Sequence, residues 1–225
     1  MKPFIVSAIW GICTLASMAA TVRWYFPCLR VRENIEIKES MSDDRNLRMR
    51  ILIIAACVFS LVAGYRVSIT ADSYVSLAKL LVGTCVVSCA VMTDMNFMII
   101  PNIFVEALLI ARVLLLVPEY FQNPEEVVPR LVSSVIGLIF CLITLCIVSL
   151  VTKGGLGYGD VKLVSCLSFL TGLYAGVNTI ILACFSCGIA AAYLLLSGRK
   201  GMKDAIAFAP FILIGYEIMI IIAAF

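Results

Sequence analysis

Eight apolar runs, at about 4–22, 51–70, 75–93, 103–118, 131–152, 161–175, 177–197 and 205–225, constrain this chain more than any other feature. Most approach the roughly 20 residues that a helix needs to cross a bilayer. A backbone exposed to lipid has no water to satisfy its N–H and C=O groups. Each run must then be helical, because the strands of a closed barrel, the other solution, are far shorter. The sequence therefore predicts an all-α polytopic membrane protein of about eight helices. It forms one domain over 1–225, with a polar loop at 23–50 and a core at 75–225. Composition agrees, with 63% of 225 residues hydrophobic against roughly 45–50% apolar in soluble domains.

The loop charges set an expected orientation. Arg23, Arg30, Arg32, Lys38, Arg45, Arg48 and Arg50 fall in one loop. Lys153 and Lys162 flank another, and Arg199, Lys200 and Lys203 precede the last run. With eight crossings these loops share a side, which the excess of positive charge assigns to the cytoplasm and which leaves the N-terminus outside. Arg23 directly after the first run argues for a retained span over a cleaved signal peptide. The opposite loops hold Arg66, Arg130, Asp72, Glu119, Glu125 and Glu126, with Pro118 and Pro124 expected to bracket one of them. The net charge of +3 gives no argument for a nucleic-acid partner; the lipid bilayer is the expected surroundings.

The chain has no histidine. That removes the His-based hydrolases, including zinc proteases with a HExxH helix and Ser–His enzymes, and leaves carboxylates or a Ser–Lys pair. Of ten cysteines, nine lie inside apolar runs, where the thiol packs as a small hydrophobe. Cys184 and Cys187 have no second pair to complete a metal site.

Between two of the runs stands KGGLGYGDVKL, residues 153–163. Two kinds of site share this look: a potassium-channel filter ending in GYGD, and the glycine-rich aspartate loop of an intramembrane protease. A filter needs a half-length pore helix before it, whereas the run at 131–152 is a full span. Asp160 alone reads equally well as a helix N-cap. A second carboxylate changes the balance. Asp94, in TDMNFMIIPN at 93–102, lies two helices upstream, and an even number of crossings returns the chain to the same face. Ionisable groups at membrane depth are functional candidates. Asp160 opens a helix and Asp94 closes one, so the helix dipoles favour a base at Asp160 and an acid at Asp94. Gly157 and Gly159 are expected to reach φ > 0 and to let an extended substrate approach. Lys162 anchors at the headgroups or holds the loop.

GGLGYGDVKL at 154–163, TDMNFMIIPN upstream and AFAPFILIG at 207–215 together resemble the type IV prepilin peptidases and their preflagellin relatives over roughly residues 75–225. The resemblance implies an aspartic endopeptidase of the bacterial inner membrane. Such an enzyme removes short basic leaders from prepilin-like membrane precursors, with Asp94 and Asp160 as the catalytic pair and no metal or cofactor needed for cleavage. Many bacterial members of the family carry two Cys-x-x-Cys pairs in the first loop, linked to zinc and to methylation of the new terminus. Here that loop has Cys28 alone, so what the resemblance implies stops at cleavage. A non-enzymatic subunit of a pilus or secretion assembly is the alternative, and a GYGD cation channel a more distant one.

Four further charges fall within apolar runs. Lys79 is expected to snorkel from the outer end of the third helix. Glu106 and Arg112, six residues apart, are expected to pair with other helices or line a wet cavity. Glu217 is the rival carboxylate, and Ser76 with Lys79 the rival dyad.

Overall fold

The computed structural model describes residues 2–26, 43–70, 73–152, 155–198 and 206–222. Cys28, Asp72, Lys153, Gly154, the stretch 27–42 of the basic loop, and Arg199, Lys200, Gly201 and Lys203 lie outside the described residues. Apart from short connections the described residues are helical: α1 (Lys2–Ala20, extended by a π-helical turn at Thr21–Tyr25), α2 (Asp43–Thr70), α3 (Tyr74–Phe97), α4 (Asn102–Gln122), α5 (Pro124–Val151), α6 (Tyr158–Thr171), α7 (Leu173–Leu196) and α8 (Ala209–Ile222). Five of these, α1, α2, α3, α5 and α7, are long and apolar enough to cross a membrane. The protein is a polytopic all-α membrane protein.

Burial separates the helices by role. α3 is central and packs against α1, α4, α6 and α8. Of its membrane-length window 56% is buried, against 11% for α7. α7 and α5 instead present Ile181, Phe185, Ile189, Ile136, Phe140 and Ile143 outward. Apolar rows of that kind are tolerable where the surrounding solvent is hydrocarbon. Close backbone approaches hold the interior together. A Cβ on Gly215 of α8 would stand 2.7 Å from the Thr179 carbonyl and the Ala183 nitrogen of α7. Glycine there lets the two helices touch, much as small residues do at other membrane helix interfaces.

Two boundaries differ from the hydropathy pattern. Pro118 does not begin a loop: α4 runs through it to Gln122, and the chain breaks only at Asn123 before Pro124 opens α5. A proline late in a helix forfeits one backbone hydrogen bond, and at a helix start it forfeits none, since that N–H is unpaired anyway. Glu119 thus lies inside the bundle, 1% exposed, and not in an outer loop. The second boundary is at Gly172, whose φ of 99° lets α6 turn directly into α7. α6 and α8 have 14 residues each, about 21 Å of helix at 1.5 Å per residue.

Candidate active site

Three helix ends converge at one end of the bundle: the last turn of α3, the first turn of α6 and the start of α8. Each is shaped locally. α3 closes on Met98, left-handed at φ 55°, whose N–H donates to the Asp94 carbonyl at 2.8 Å. The chain then passes Ile100 and Pro101 into α4. Gly159 lies against that connection, since a Cβ there would stand 3.0 Å from Ile100 Cβ. The first turn of α6 is thereby seated beside the segment that follows Asp94.

The glycines act through space and not through φ. Gly157 is extended at φ −67° and ψ 139°, and Gly159 is helical. Among the described residues, positive φ occurs only at Met98, Gly172 and Gly198. The N-cap expectation for Asp160 is corrected in the same place. Gly157 is the N-cap, and Asp160 is the third residue of the helix. Its carboxylate reaches back to the Gly157 backbone N–H, as an acid at this position does in half of a capping box. A free N–H at the helix start draws the side chain there.

Asp94 and Asp160 are both buried, 6% and 8% exposed, and lie within electrostatic range of each other. Asp94 Oδ2 accepts the Ala209 N–H at 3.0 Å, and the Phe208 N–H also reaches the carboxylate. Asp160 Oδ1 is buried with no hydrogen-bond partner among the described residues. The side chain of Asp94 therefore rests on the amide-rich start of α8, even though its backbone closes α3. Both carboxylates face positive helix ends, so the helix-dipole argument for unlike roles does not hold. What distinguishes them is that one oxygen of Asp160 has no donor directed at it among the described residues.

The pair is recessed. Cys187 of α7 lies within electrostatic range of Asp160, and α7 continues nine residues beyond it to Leu196, about 14 Å of helix. Lys162 is exposed, with Nζ 3.5 Å from Asn102 Oδ1, a weak tie between α6 and the start of α4. Glu217 stands apart from the two aspartates. It is eight residues into α8, about 12 Å along the axis, and accepts a hydrogen bond from Ser60 at 2.7 Å.

The donors that hold Asp94 escaped the sequence. AFAPFILIG carries a helix-start signal in its proline, but nothing in it indicates that the Ala209 N–H meets a carboxylate 115 residues earlier. Lys79 and Arg112 were also misplaced. Lys79 does not snorkel but pairs with Glu119 at 2.7 Å, and Arg112, fully buried, pairs with the same carboxylate at 2.7 Å. Both follow from Glu119 being helical. Glu106 is exposed.

Comparison with known proteins identifies the family. The model of the type IV leader peptidase family matches residues 80–192, half of the chain, and spans both aspartates. A prepilin leader peptidase/N-methyltransferase of Bacillus subtilis (strain 168) is 27% identical over 169 residues, covering 72% of this chain. The chain spans 61% of that relative's length. No solved structure matches. From this match over half of its length, the chain belongs to the type IV leader peptidase family.

Proposed function

We propose that this protein is an intramembrane aspartic endopeptidase that cleaves basic leader peptides from type IV prepilin-like membrane precursors at the cytoplasmic face. One observation carries the proposal: two buried carboxylates, from helices far apart in sequence, lie within electrostatic range of each other at a recessed end of the bundle, and Asp160 Oδ1 has no donor among the described residues. Buried acids without cationic partners are costly in a purely structural role. A shared proton between two carboxylates is the arrangement that acid–base hydrolysis of a peptide requires.

In the proposed reaction one carboxylate takes a proton from water as the oxygen attacks the scissile carbonyl carbon, while the other gives its proton to the carbonyl oxygen. The tetrahedral diol then breaks its C–N bond, the amine leaves with a proton from the pair, and the new terminus is a carboxyl group. Protons balance and no metal is needed. The pair titrates as one unit, so the two roles belong to the pair. The Phe208 and Ala209 N–H groups hold Asp94, and the Gly157 N–H holds Asp160 by one oxygen. Gly157, where a Cβ would meet only the Asp160 carboxylate, leaves a gap beside Asp160 on which an extended substrate segment lies, and Gly159 seats the loop against Ile100. Lys162 keeps that loop in register with the start of α4.

The relative's name supports the leader-peptidase reading and also mentions methyl transfer; the proposal is for cleavage. Cytoplasmic sidedness rests on the basic loops. The test is co-expression with prepilin-like precursors and measurement of leader removal by intact mass, for wild type, Asp94→Asn and Asp160→Asn. Each substitution should reduce cleavage about 10³-fold or more with expression unchanged. An assembly subunit would tolerate both, and processing at wild-type rate in either variant overturns the proposal.

A further inference from the structure

At the end of the bundle away from the aspartates, a cavity of about 250 Å³ opens between α3, α5 and the α6–α7 turn. Its walls include Lys79, Arg130, Ser76, Ser133, Ser134 and Thr171. Beside it lies a cluster of charge built on one carboxylate. Glu119 takes Lys79 at 2.7 Å, Arg112 at 2.7 Å and Arg130 at 3.5 Å. Arg130 also pairs with the exposed Glu126. Three cations therefore meet two carboxylates, and one of those carboxylates is at the surface. Arg112 is 0% exposed, and its Nε and Nη2 have no acceptor among the described residues.

The cluster as a whole carries one cation more than carboxylates, and a buried excess of positive charge is costly unless an anion offsets it; of the three cations Lys79 and Arg130 line the cavity, and Arg112 stands behind them. The cavity supplies what such an anion needs. Lys79 and Arg130 give it charge, and the hydroxyls of Ser76 and Ser134 make no hydrogen bond among the described residues. Ser133 Oγ already accepts the Leu173 N–H at 3.3 Å, which leaves its proton free to donate. Several donors and no lining carboxylate suit tetrahedral oxygens. The pairing of Lys79 with Glu119 speaks against the rival Ser76–Lys79 dyad, because that mechanism needs a lysine free to act as base.

We propose that this cavity is an anion site that takes a phosphate group, either a phospholipid headgroup or free phosphate. The site is independent of the aspartate pair. Lys79 and Asp94 are fifteen residues apart on α3, about 22 Å along its axis.

The test uses full-length protein in detergent, with Arg130→Gln to remove a cation and Ser134→Leu to fill the cavity. Size-exclusion profiles matching wild type show that both variants fold. Native mass spectrometry after loading with phosphatidylglycerol should show bound lipid on wild type and at least tenfold less on either variant. Retention that 10 mM inorganic phosphate does not displace assigns the site to the headgroup. A rise in melting temperature with inorganic phosphate, seen in wild type, lost in both variants and without lipid retention, assigns it to free phosphate. Lipid retention within twofold in wild type and both variants, with no phosphate effect on any of them, overturns the proposal.

Discussion

Ile100 fills the place that a side chain on Gly159 would need, so this residue's lack of a Cβ is a packing requirement at the edge of the site. Gly159→Val should therefore push the first turn of α6 away from the segment after Asp94. Overpacking of this kind costs about 1–3 kcal/mol, and leader cleavage should fall tenfold or more while the protein still reaches the membrane. Gly159→Ala, one methyl at 3.0 Å, should lose less. Equal activity in wild type and the valine variant would show that the contact is slack. At this scale the sequence was partly legible. The aspartates stood out because carboxylates are rare in such apolar surroundings. The reason for the glycines did not, because a close approach of Ile100 leaves no local signature, whereas a turn does.

Helix ends carry the next level of organisation. α8 begins where it does because Pro210 tolerates a helix start and because the N–H of Ala209 finds Asp94. Ala209→Pro removes that donor while keeping a φ suited to a helix start. A hydrogen bond to a charged group contributes about 1.5–3 kcal/mol, so kcat for cleavage should drop roughly 10- to 100-fold with KM little changed. An altered pH–rate profile should accompany the drop, since a carboxylate of the pair has lost a partner. An unchanged profile would place Ala209 outside the mechanism. Helix count and the shared level of the two aspartates followed from hydropathy and parity alone. The ends did not. Pro118 and Glu119 suggest a loop in one dimension, yet Lys79, 40 residues away on α3, and Arg112, two turns earlier on α4 itself, make that polar turn a buried one.

For the molecule as a whole, the arrangement of basic loops expects one sidedness. In a cysteine-depleted background, Tyr74→Cys, at a site 82% exposed, should react with an impermeant maleimide on intact spheroplasts. Leu196→Cys, at a site 90% exposed, should react only after lysis. The reverse pattern would invert the topology and move cleavage to the other face. The 14-residue length of α6, which ends at the Gly172 turn, bears on the chemistry as well. Hydrocarbon is about 30 Å thick, so this wall of the bundle stops roughly 9 Å short of a full crossing. Solvent can dip into that notch without a dedicated conduit. A precursor's anchoring segment must then uncoil on its way down to the acids, so the ease with which its first turns melt should rank competing precursors.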